Sequence, residues 1–143
     1  MKNLFLFMAI TLVGLGGCSE KRSQPLAIDN SLTQEEIAAG VLSPEVMWKM
    51  GRVGLASLSP DASRLLYTVT WYNMQENRGV TAIYVRDAAS GEVAQLTDFS
   101  SNNSDPKWNA DGSKIYFLSD LSGSSQIWEM AADGQNPRQL SKL

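Results

Sequence analysis

The sequence predicts an all-β fold of about two four-stranded sheet units, preceded by an export segment and two short helices. Two observations carry this. First, Ser59-Pro60-Asp61-Ala62-Ser63-Arg64-Leu65-Leu66-Tyr67 is restated as Asn109-Ala110-Asp111-Gly112-Ser113-Lys114-Ile115-Tyr116-Phe117, at a constant offset of 50 from Ser59 to Asn109. Second, the stretch from Ile83 to Thr97 is restated from Ile127 to Ser141, pairing Tyr84 with Trp128, Gln95 with Gln139 and Leu96 with Leu140 at an offset of 44. Each unit reads as four short strands separated by turn residues, in the first unit Val53–Leu58, Leu65–Trp71, Ala82–Asp87 and Val93–Leu96. Four strands repeating every ~40–50 residues is the pattern of β-propeller blades. It places a first blade in residues 52–98 and a second in 99–143.

Ahead of the blades the chain begins as an address. Lys2, an apolar run from Leu4 to Leu15 and the small residues Gly16 and Gly17 have the layout of a secretory signal over residues 1–17. The run is about 12 residues long, too short to cross a bilayer core of ~30 Å as a helix. Leu15-Gly16-Gly17-Cys18 resembles the bacterial lipobox, and Cys18 is the sole cysteine. That resemblance implies acyl chains on Cys18 and a membrane as partner. Residues 18–32 are polar and unpatterned, a flexible tether.

Residues 33–51 form a helical lead-in. Thr33-Gln34-Glu35-Glu36 fits a capping box, and Gly40 ends that turn. Ser43-Pro44-Glu45 supplies a capping hydroxyl, proline at the first helical position and an acid near the positive helix end. Val46, Met47 and Met50 make an apolar stripe expected to pack on the domain that follows, with Gly51 placed to close the helix.

Within the blades, Asp61 and Asp111 suit turns, because an aspartate can bond its own backbone two residues on. They read as turn formers rather than metal ligands. Gly112 takes a positive φ cheaply, whereas the first copy has Ala62 there, so strain or a different turn is expected at Ala62. Between the second and third strands the offset shortens from 50 to 44, so the first unit carries six extra residues within Tyr72–Val80. An insertion of this kind marks a candidate binding loop, with Tyr72 and Arg78 expected to point out of the blade. Trp71, Tyr72, Trp108 and Trp128 could also serve a glycan- or peptide-binding surface. Repeat positions favour core packing for Trp108 and Trp128.

Composition narrows the chemistry. Of 143 residues 43% are apolar, enough for a core, and the net charge of −3 is scattered without a basic stripe, which argues against nucleic acid. There is no histidine and no second cysteine. The common hydrolytic bases and zinc sets therefore lose their usual members, and no catalytic, cofactor or metal residue is assigned.

From about Leu42 onward the order of elements resembles secreted prolyl oligopeptidase-family serine peptidases, most closely the dipeptidyl-peptidase and acylaminoacyl-peptidase branch found as bacterial lipoproteins. The resemblance rests on the helix ending Lys49-Met50-Gly51, the Arg52-Val53 entry, the Ser59-Pro60-Asp61 turn and the closing Gln95-Leu96-Thr97. TolB-type propellers share the blade motifs. The resemblance implies further blades and a C-terminal α/β-hydrolase domain as partners, peptides as substrates, and a propeller that gates access to a Ser in a G-x-S-x-G elbow. No G-x-S-x-G occurs in this chain, so none of those catalytic residues falls on a residue here. The expected product is an exported, lipid-anchored protein on the outer membrane or periplasmic face, of which these residues form an incomplete propeller. A non-catalytic TolB-like scaffold and a peptide- or glycan-binding lipoprotein are the alternatives.

Overall fold

A computed structural model of the chain describes residues 25–143. Two short helices, α1 (Gln34–Ala39) and α2 (Pro44–Lys49), precede eight strands: β1 (Arg52–Leu58), β2 (Arg64–Asn73), β3 (Arg78–Asp87), β4 (Val93–Gln95), β5 (Asn103–Trp108), β6 (Lys114–Ser119), β7 (Gln126–Ala131) and β8 (Arg138–Gln139). They form two antiparallel sheets, β1-β2-β3-β4 and β5-β6-β7-β8. These are the two expected blades. Both first strands carry a register irregularity at the repeat position, between Gly54 and Ala56 in β1 and between Ser104 and Lys107 in β5.

The core lies between the sheets. Leu66 and Ile83 of the first blade meet Ile115, Phe117 and Met130 of the second, flanked by Leu96, Trp108 and Trp128. Alternation produces this. Thr68 pairs with Ile83, so Leu66, Thr68 and Ile83 share one face, while Leu65, Tyr67 and Tyr84 share the other. Trp108 and Trp128 pack against the core, as their repeat positions indicated.

A clasp joins the blades beside that core. The Arg64 guanidinium lies 4.7 Å from the Trp108 ring and donates to the carbonyls of Gly112 (3.2 Å) and Ala132 (3.5 Å). In return the Trp108 indole N–H donates to the Ser57 carbonyl at 3.3 Å.

The turns behave as the residues dictate. Asp61 accepts from the Ser59 hydroxyl (2.6 Å) and from the Ser63 amide (3.1 Å) and hydroxyl (2.8 Å). These bonds hold its carboxyl down at about 2. Asp111 repeats the bond to the Ser113 amide at 2.8 Å. Gly112 has φ 73° and Ala62 has φ 57°, so both copies use the same left-handed turn and the first pays with a Cβ in that region. Ala62→Gly is therefore expected to stabilise the protein by about 1 kcal/mol or less, net of the added glycine entropy. A thermal melt checks this, and an unchanged or lower midpoint would remove the strain argument.

Thr33 makes the predicted capping box with Glu36, and Gly40 caps α1 at φ 61°. Four expectations change. The extra residues of the first unit do not form a loop but lengthen the ladder, with Tyr72 opposite Gly79 and Asn73 opposite Arg78. The turn is confined to residues 74–77, where Asn77 takes φ 47°. The chemistry of Trp71, Tyr72 and Val80 suits a strand, and nothing before Met74 breaks it.

The stretch expected to run free to Leu32 is docked from Leu26 onward. Leu26 is buried and donates its amide to Phe99 at 2.9 Å, while the Asn73 side chain donates to the Ala27 carbonyl at 2.7 Å. Of the stripe on α2 only Val46 is buried, whereas Met47 and Met50 are exposed. Finally, Met50 caps α2 in extended conformation, so Gly51 serves another purpose. A Cβ there would stand 2.6 Å from Val69 Cγ1 and 2.7 Å from the Trp71 ring. Its value is the close approach of the lead-in to β2.

Candidate functional site

The lengthened β2–β3 hairpin reaches back to the lead-in, and a cleft opens where they meet. Trp48 of α2 packs edge-on against Tyr72 with ring centres 5.1 Å apart. Arg52 opens β1 on the same sheet face as Tyr72, and its guanidinium lies 4.6 Å from the centre of each ring. Such an arrangement sets the cation against the electron-rich ring faces. A second staple fixes α2 to α1, because Lys49 Nζ lies 2.8 Å from a Glu36 carboxylate oxygen and also donates to the Ser31 carbonyl. The Lys49 ammonium holds the Glu36 carboxyl below its usual range, helped by the Thr33 amide.

Between these supports lies a cleft of about 520 Å³ whose walls include Ile28, Asp29, Glu45, Trp48, Tyr72 and Met74. Two carboxylates face it. Asp29 is held ionised by the Ser31 hydroxyl and amide. Glu45 is lowered by its own backbone amide in the first turn of α2 and by Ser43. Both nearby cations are engaged, Lys49 with Glu36 and Arg52 between the rings. The cleft thus combines aromatic and apolar walls with two carboxylates beside a Lys49 that is paired with Glu36, a setting for a cationic group on an apolar stem.

Of the residues the sequence pointed to, Tyr72 is in this cleft. Arg78 is exposed at the start of β3 and pairs with Asn73, so alternation turns it to the face opposite Tyr72. The two are not brought together. Cys18 lies outside the described residues. Trp48 and Asp29 carry no motif, and Glu45 and Arg52 stood out in the sequence only for a helix start and for the entry to the first blade. The one available signal was the proximity of Trp48 to the helix end that leads into β1. Among the described residues no cluster of three or more His, Cys, Asp or Glu is placed to hold a metal ion.

The paired four-stranded sheets, repeat turns and inter-blade core have counterparts among known proteins. Residues 32–142 match the TolB beta propeller domain family. The chain belongs to that family. Within it, the chain is 31% identical over 116 residues to a protein named dipeptidyl-peptidase 5 from Porphyromonas endodontalis, covering 80% of this chain and 17% of that one. It is 33% identical over 126 residues to the protein of the same name from Porphyromonas gingivalis, covering 88% of this chain and 17% of that one. Among solved structures, an acylaminoacyl peptidase from Pyrococcus horikoshii superposes with a TM-score of 0.57 at 18% identity, over 68% of this chain and 15% of that chain. The TolB-family propeller here is therefore related to the propellers of prolyl oligopeptidase-family peptidases. The chain spans about 17% of the length of the curated relatives it matches.

Proposed function

We propose that this chain supplies the opening blades of the propeller of a lipid-anchored serine peptidase that hydrolyses short peptides, the propeller limiting which peptides reach the catalytic part. The observation that carries the reading is the match to two dipeptidyl-peptidase 5 proteins through lead-in and blades alike, with most of their length beyond it. The cleft at Trp48 and Tyr72 supports an early binding role, since its two carboxylates suit a peptide's positive charge. The test is a chimera in which this chain replaces the matching segment of the Porphyromonas gingivalis relative. It is expected to hydrolyse dipeptidyl chromogenic amides and to be silenced by a serine-directed inhibitor. A chimera that folds, retains its melting transition and shows no such hydrolysis would sink the reading in favour of a non-catalytic propeller scaffold, which the TolB-family match also suits.

The anchor belongs to the same proposal. Acyl chains on Cys18 would hold the blades at the outer membrane or the periplasmic face, because two or more chains anchor stably where one binds only marginally. In detergent phase separation, wild-type protein is expected in the detergent-rich phase, and Cys18→Ala as unlipidated protein. Identical mobility and partitioning of the two would eliminate acylation.

A further inference from the structure

The chain ahead of α1 is fastened to the blades at defined points. The Leu26 amide donates to the Phe99 carbonyl at 2.9 Å, and the residue is only 3% exposed. One position on, the Ala27 carbonyl accepts from the Asn73 side chain at 2.7 Å. The Ser31 carbonyl then accepts from Lys49 Nζ at 3.2 Å, which ties the same stretch to α2. Residues 26–31 are therefore a pinned strap rather than a length of free chain.

The strap sits at one end of the first blade. Asn73 closes β2 beside the turn at residues 74–77, and Phe99 follows β4 in the passage to β5. The blade's other turns, at residues 59–63 and 88–92, lie at the opposite end, because β2 and β3 run between the two ends. Each of these strands is ten residues long, which sets the ends about 30 Å apart. Leu26 stands eight residues after Cys18. Eight residues reach at most ~29 Å when fully extended, against ~50 Å for the fourteen from Cys18 to Leu32.

We infer that the strap turns the anchor into a short leash, which holds the hairpin end of the first blade next to the lipid surface with the turns at 59–63 and 88–92 directed away from it. The inference rests on the acylation of Cys18 proposed above. Only a leash stretched to its limit and running back along the whole blade would bring the far turns to the lipid. A folded part wider than ~29 Å has no room between Leu26 and the membrane. Both limits are set by residues ahead of the blades, so they hold whatever neighbours the two sheets have. The cleft at Trp48 and Tyr72 lies at this same end, with Asn73 and Met74 in its wall. Its ligands are therefore drawn from the solvent layer beside the membrane.

Energy transfer to the bilayer tests it, with the full chain carrying its lipid reconstituted in phosphatidylcholine vesicles that contain a headgroup-labelled acceptor lipid. Glu76→Cys, in the hairpin turn, and Glu92→Cys, in the far turn, are both exposed and remove the same charge. Each takes a donor dye while Cys18 is occupied by the lipid. Transfer from position 76 is expected to exceed that from position 92 at least about two-fold, given about 30 Å between the two ends. Equal transfer from vesicle-bound protein, or stronger transfer from position 92, would overturn the leash and leave acylation standing. Protein that does not float with the vesicles would remove the acyl anchor, and the leash with it. Leu26→Asp should release the strap and shrink the difference between the two positions. Should that variant lose its melting transition, about twenty Gly and Ser residues inserted after Lys21 lengthen the leash with the strap in place, and transfer should fall at both positions. Transfer that either change leaves undiminished would be equally fatal.

Discussion

Ile83→Ala is expected to destabilise the protein by about 3 kcal/mol and to lower the stability of both blades at once. Ile83 is fully buried and sits in β3 of the first blade, yet three of the four other members of its cluster, Ile115, Phe117 and Met130, belong to the second. Removing its side chain strips contacts from both sheets and leaves a cavity that the antiparallel ladders resist closing. Because the shared core is small, a loss of this size is a large part of the ~5–15 kcal/mol that holds a typical domain. Denaturant unfolding followed by tryptophan fluorescence and by far-ultraviolet dichroism provides the measurement. Trp108 and Trp128 of blade 2 flank the cluster, so both probes should shift together. Val93→Ala, at a 54% exposed position in β4, is the control and should change stability by about 0.5 kcal/mol or less. If Ile83→Ala moved only the first blade, the blades would be independent units and the shared core would have no energetic meaning.

Trp108→Ala is expected to cost about 2–3 kcal/mol, below the ~3–5 kcal/mol of a fully buried tryptophan because Trp108 is half-buried. The side chain does three things. It flanks the core, donates to the Ser57 carbonyl, and offers its ring to Arg64. Arg64 in turn depends on that ring for orientation while it donates to the turns at Gly112 and Ala132. Trp108→Phe keeps an aromatic face but loses the indole donor, and should fall between wild type and alanine. The coupling separates a clasp from simple packing. In a double-mutant cycle, Trp108→Ala and Arg64→Met should show an interaction energy of about 0.5–2 kcal/mol. Additivity would mean that the ring and the guanidinium are neighbours without being partners.

The same pairing explains why the two repeats are not interchangeable. Arg64 recurs as Lys114 and Trp108 corresponds to Leu58, so each unit carries one half of the clasp in its stronger form. A planar guanidinium can stack and donate to two carbonyls together, which an ammonium on a flexible stem does less well. The interface between the two sheets thus holds the stronger member of each pair.

What the sequence determined by itself is the part of the fold written in short-range chemistry. Asp61 and Asp111 bond amides two residues away, Thr33 and Glu36 close a cap within one turn, and alternation along β2 and β6 sets which residues face inward. Those bonds need no distant partner, so the repeat, the two blades and the family relationship are legible from the residues alone. The tertiary structure decided the rest. The stretch expected as a loop at Tyr72 is ladder, and what only the assembled fold supplies there is the meeting of Tyr72 with Trp48 and Arg52, residues apart in sequence and joined only once β1 and β2 pair. Leu26 was taken out of the tether by a bond to Phe99, and Gly51 was needed for a contact with Val69 and Trp71 rather than for a turn. The physical reason is the same throughout: a hydrogen bond to a near neighbour is encoded where it forms, whereas close packing between elements depends on shapes that exist only after both have assembled.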